Sequence, residues 1–138
     1  MDSTDLPFIV KGFLSVTDAV KCAEIGAKGI IVSHHHGRLP YAIPPMMILP
    51  EIVEALEGSG ITIMVDFGIA SGADVFKALA LGADAAAVGR SMLPSLEKDG
   101  TEGVQNFLSE IKSELRFIMG CTGFEHVEDI NDSVLYGF

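Results

Sequence analysis

Apolar residues follow two rhythms along this chain. Short runs, PFIVKG at 7–12, GIIVS at 29–33, ITIMVD at 61–66 and DAAAVG at 84–89, carry few polar residues before their last positions. They suit strands buried on both faces. Between them apolar positions recur at helical spacing: Val16, Ala19, Val20 and Ala23, then LPEIVEAL at 49–56 and GADVFKALAL at 72–81. EGVQNFLSEIKSELRFIM at 102–119 reads as a long amphipathic helix. Ser15, with Asp18 three residues on, resembles a capping box, and Gly26 and Gly82 stand where helices are stopped. The pattern predicts four strand–helix units, hence parallel strands and right-handed crossovers.

The chain also repeats itself. A shift of 56 positions lays VKGFLSVTDAVKCAEIGAKGIIVS, from Val10, over DFGIASGADVFKALALGADAAAVG, from Asp66. Identities fall at Gly12/Gly68, Ser15/Ser71, Asp18/Asp74, Lys21/Lys77, Gly26/Gly82, Ala27/Ala83 and Val32/Val88. Each copy reads strand, glycine turn, helix, glycine stop, strand. A (βα)4 chain is either a small open sheet or half of a (β/α)8 barrel, and a whole barrel takes about 250 residues. The repeat favours the half-barrel, as an α/β domain over 1–138 with a C-terminal helical tail from about 124. Its first and last strands would be bare parallel edges, which seldom stay solvated. A partner is therefore expected: a second copy in a homodimer, or a separate chain.

Composition narrows the function. At 138 residues and 49% hydrophobic, the chain can bury one core. A formal charge of −10 excludes nucleic acid as the expected partner, because phosphates call for clustered Lys and Arg. It also makes Arg38 and Arg90 conspicuous as groups with an anion to meet. No apolar stretch approaches the roughly 20 residues that cross a bilayer. The acidic start MDSTDLPF lacks a secretory layout, so cytoplasm is the expected compartment. Cys22 and Cys121, far apart, read as reduced thiols.

In a barrel of this type the working residues lie just past the C-terminal strand ends. Those positions hold Lys11 and Gly12, Ser33 to Arg38, Asp66 to Gly72, and Gly89-Arg90-Ser91. The last two groups read as a phosphate cradle: Gly68 and Gly72 precede a helix N-terminus, and Gly89-Arg90 adds backbone amides and a guanidinium. Three histidines, 34–36, follow the second strand. On an extended segment His34 and His36 would share one side and His35 the other. No Cys or carboxylate is spaced to finish a zinc site, so no metal is expected. A structural role for the histidines and a catalytic base both remain, and Arg38 nearby favours the base.

These residues match a known family. The chain resembles the C-terminal half of the FMN-dependent α-hydroxy acid dehydrogenases and oxidases, the group containing glycolate and lactate oxidases. The family's Ser-Asn-His-Gly-Gly-Arg lies over Ser33-His34-His35-His36-Gly37-Arg38, and its Asp-Gly-Gly-Ile-Arg-Arg-Gly over Asp66-Phe67-Gly68-Ile69-Ala70-Ser71-Gly72. IVKG, DVFKALALGAD, Gly89-Arg90 and IMGCTGFEHVEDI also match, so the likeness runs over nearly the entire chain, as strands five to eight of the family barrel.

The resemblance implies FMN as cofactor and a small 2-hydroxy acid as substrate. It makes His35 the catalytic base and Arg38 the clamp on the substrate carboxylate. Lys11 would lie against the flavin N1/O2 edge, with Ser33, Asp66, Gly68, Gly89 and Arg90 also binding cofactor. His35 would take the α-hydroxyl proton while the α-hydrogen leaves as hydride to flavin N5. Three departures stand out. His34 and His36 replace an Asn and a Gly, and Ala70 stands where an arginine usually meets the FMN phosphate. The family's first four strands, with the carboxylate that orients the histidine, lie outside this sequence. The alternative implied is an FMN- or phosphate-binding half-barrel without catalysis.

Overall fold

Four strands and four helices alternate in a computed structural model that describes residues 5–35, 37, 41–66 and 68–137. They run β1 (Ile9–Phe13), α1 (Val16–Glu24), β2 (Gly29–Val32), α2 (Pro45–Ala55), β3 (Thr62–Asp66), α3 (Gly72–Ala80), β4 (Ala85–Ala87) and α4 (Leu93–Thr122). The strands are all parallel and lie side by side in chain order. Sequential order, with no reversal between strands, is the order of a barrel wall rather than of a doubly wound sheet.

Side-chain alternation divides the sheet into two faces. Ile30 and Val32 of β2, with Ile63 and Val65 of β3, point to the helices and pack with Ala19 and Cys22 of α1, Leu49 and Ile52 of α2, and Ala78 of α3. The opposite face carries Ile9, Lys11, Met64 and Asp66. There Gly29 leaves room for its neighbours, since a Cβ on it would stand 3.4 Å from Ile9 Cγ1 and from Met64 Cε. Inside the helix layer, burial pushes the pKa of the Cys22 thiol up and the Asp18 charge adds to it, whereas Cys121 is exposed. A second cluster joins α3, α4 and the tail through Phe76, Leu79, Met119 and Ile130, with the Phe76 and Phe124 rings 6.1 Å apart.

The two halves of the repeat are capped alike but not equally. Ser15 Oγ accepts the Asp18 N–H at 3.3 Å, half of the expected box. Ser71 completes it: its Oγ accepts the Asp74 N–H, and Asp74 Oδ2 accepts the Ser71 N–H, both at 3.1 Å. Some boundaries differ from the expected ones. The second helix starts at Pro45 instead of 49, because a proline at the first helical position forgoes an amide bond that would be unmade anyway. The last helix begins at Leu93 and is broken at Gly100 (φ 60°, ψ −138°) before its amphipathic stretch. Past Gly123 the tail makes two 3₁₀ turns, Val127–Asp129 and Asp132–Val134. Among the described residues no helix is long and apolar enough to cross a membrane.

Candidate active site at the strand ends

Three adjacent strands bring distant residues together at their C-terminal ends. Lys11 of β1 sends its Nζ to Ser33 Oγ, at 3.1 Å, and pairs with Asp66 Oδ2 at the end of β3. Ser33 is fully buried, and its hydroxyl also accepts the His35 N–H at 3.2 Å. The Lys11 and Asp66 side chains are 39% and 25% exposed, so the pair is partly solvated and contributes at most about 1 kcal/mol. Its role is positional, holding a cation at the mouth of the sheet.

His35 arrives by a backbone reversal. The chain leaves β2 with Ser33 toward the mouth and His34 buried, and His35 then adopts a left-handed φ of 52°. Extended alternation therefore stops at His34, which corrects the simple two-sided arrangement expected for the histidines. The His35 ring lies over Gly12 closely enough that a Cβ on Gly12 would fall on the imidazole. Gly12 itself has φ +98°, at an irregularity in the β1–β2 register between Lys11 and Phe13. Such a bulge re-aims the strand end, and glycine is the residue that tolerates both the backbone angle and the ring above it. Behind His35, His34 Nδ1 accepts the Gly37 N–H at 2.8 Å.

The third and fourth strand ends are open. Asp66 and Ala87 are register partners, so Gly68 and Gly89 each lie two residues past a paired position. A Cβ at either would have nothing within 4 Å. Gly89 caps a 3₁₀ turn, Arg90–Met92, and Arg90 is exposed without an ion pair to a described residue. Two approachable backbone positions, one of them next in the chain to an exposed arginine, have the chemistry that a phosphate calls for. The start of α3 does not serve it as expected. Asp74 Oδ2 already accepts the Ala70 and Ser71 N–H groups, each at 3.1 Å, and Glu114 Oε2 accepts that of Gly72 at 2.7 Å. These carboxylates take the dipole end that an anion would use, which leaves Gly68, Gly89 and Arg90 of the expected cradle open to one. Glu114 lies 42 positions from Gly72, and no local signal announces it.

The structure thus brings Lys11, Ser33, His35 and Asp66 into one group, with Gly68, Gly89 and Arg90 on the neighbouring strand ends. Arg38 and His36 lie outside the described residues, as does Phe67. Among the described residues no group of three or more His, Cys, Asp or Glu is arranged to hold a metal ion. A lysine at the end of β1 and open backbone with an exposed arginine past β3 and β4 are suited to a cofactor that carries a phosphate.

Known proteins share this arrangement of chain. The chain is 47% identical over 125 residues to 4-hydroxymandelate oxidase of Amycolatopsis orientalis, an alignment covering 90% of this chain and 35% of that protein. It is 43% identical over 134 residues to L-lactate oxidase of Roseobacter sp. (strain GAI101), covering 96% and 36%. It thus spans about a third of the length of these curated relatives. Mandelate oxidase with benzoyl-formic acid superposes with a TM-score of 0.89 at 45% identity, over 94% of this chain and 38% of that one. A mandelate oxidase variant with a monooxide FMN adduct gives the same TM-score and identity, over 94% and 41%. The four parallel strands are accordingly part of a TIM barrel. Residues 1–137 match the family model of FMN-dependent dehydrogenases, and the chain belongs to that family.

Proposed function

We propose that this chain carries the base and the flavin-edge residues of an FMN-dependent oxidation of a small 2-hydroxy acid to its 2-oxo acid. The observation that carries the reading is the His35 imidazole lying over Gly12, beside the Lys11–Ser33–Asp66 group. FMN supplies the acceptor for the two electrons that leave the substrate carbon as hydride. His35 takes the hydroxyl proton, and the residue is exposed at the end of β2. Arg38, three residues on, pairs with the substrate carboxylate and fixes which face is presented. Lys11, Ser33 and Asp66 hold the ring system of the cofactor, and Gly68, Gly89 and Arg90 its phosphate. The relatives' names, oxidases of 4-hydroxymandelate and of L-lactate, support the substrate class.

Four parallel strands do not close a barrel, so four more complete the site, from a second copy or another polypeptide segment. A reducing compartment, the cytoplasm being the expected one, agrees with two unpaired thiols. The test is the absorbance spectrum of the protein mixed with FMN, collected through a sizing column with light scattering. Flavin travelling with the protein, bleached anaerobically by lactate or glycolate and not bleached in His35→Ala, is the expected result. Bound flavin that neither acid bleaches would leave a binding module without catalysis. A colourless protein at the mass of a closed barrel would overturn the reading.

A further inference from the structure

We infer that His34 is a positioning residue: by accepting the Gly37 N–H on Nδ1, it closes the turn that carries His35 and so sets where the His35 ring lies. This rests on the catalytic role proposed for His35. His34 is 7% exposed, and the bond is 2.8 Å long and spans three residues. Between its two ends stands His35 with its left-handed φ of 52°, a conformation that a bulky residue keeps only where its surroundings impose it. Two bonds fix that conformation from either side. The His35 N–H is held by Ser33 Oγ at 3.2 Å, and the Gly37 N–H by His34. Together they tie the backbone on both sides of His35 to side chains buried at the end of β2.

Acting as acceptor fixes the chemistry of His34. Its Nδ1 must be unprotonated, which leaves a neutral ring with its proton on Nε2. The requirement is for an acceptor atom on Cγ and not for an imidazole. Asparagine places Oδ1 on the same carbon, and side chains of that kind hold backbone amides in turns and helix caps. The Asn found in the family motif at this position meets the same requirement, so His34→Asn is a conservative change in spite of the difference in size. Leucine fills the space and offers no acceptor.

The experiment is nuclear magnetic resonance on the full chain, without flavin or substrate. In the unmodified protein a nitrogen–nitrogen coupling across the hydrogen bond is expected between Gly37 N and His34 Nδ1, with His34 in the Nε2–H form. His34→Leu should make the Gly37 amide exchange about tenfold faster and move the His35 ring signals, whereas His34→Asn should leave both near their original values. Absence of the coupling would overturn the inference, as would a folded His34→Leu protein with unchanged Gly37 and His35 signals. Should His34→Leu not fold, the coupling and the His34→Asn spectrum decide: displaced His35 signals in His34→Asn would sink the positioning role. None of these readouts depends on turnover, so failure of the oxidase reading and failure of this one are separately visible.

Discussion

Gly12 meets two demands at once, a backbone angle of φ +98° and an imidazole packed where its Cβ would be. Gly26 shares the first demand, with φ +82°, and not the second, because nothing lies within 4 Å of a Cβ added there. The two glycines therefore separate strain from collision. Gly26→Ala is expected to cost about 1–2 kcal/mol in urea denaturation, the usual penalty for a left-handed alanine. Gly12→Ala is expected to cost more and to shift the His35 ring resonances, which Gly26→Ala leaves alone. Equal costs with an unmoved His35 would contradict the packing described. Of the candidate site, the strand-end positions of Lys11, Ser33, Asp66, Gly68, Gly89 and Arg90 could be read from the run pattern alone. The reversal at His35 could not, because periodicity assumes that an extended segment stays extended. The bond from the Gly72 N–H to Glu114 was equally hidden, since it depends on how α4 packs on α3.

At the scale of elements, the repeat has produced two helices with the same opening sequence logic and different strengths of cap. Ser71 exchanges bonds with Asp74 in both directions, and its hydroxyl also approaches Asp74 Oδ2 at 2.8 Å; Ser15 makes one bond, at 3.3 Å. Ser71→Ala should cost about 1–2 kcal/mol and Ser15→Ala about 0.5 kcal/mol by chemical denaturation. The reverse order would show that α1 depends on its cap more than the bonds indicate. Element order and type were legible because each unit carries both a period and a stop. Boundaries were less so where one signal has two meanings. Pro44 and Pro45 precede the helical spacing that starts at 49, yet proline also opens helices, and α2 begins at Pro45. Gly100 was hidden inside a stretch that is helical on either side, so the turn of helix before it went unread.

At the scale of the whole molecule, the sheet is a wall that runs from β1 to β4. Chain order makes β1 and β4 its outer strands, and Leu6, Phe8 and Ile9 at the β1 side are exposed apolar residues. The Lys11 group meanwhile links β1, β2 and β3 across their ends. A ligand seated there touches several strands, so it binds the folded arrangement and not the unfolded chain. FMN is accordingly expected to raise the thermal midpoint with the logarithm of its concentration, by about 2.7 kcal/mol of stability at a hundred times its Kd. Lys11→Met should flatten that dependence, and a midpoint indifferent to FMN would contradict it.

That three-strand link ties the cofactor to the fold itself. A group that only the folded form can hold acts as a ration on the protein itself: with less FMN bound, a larger share of molecules would be open at any moment and exposed to proteases. Steady-state abundance would then follow flavin supply at constant messenger level, and the chains removed would be those that hold no cofactor.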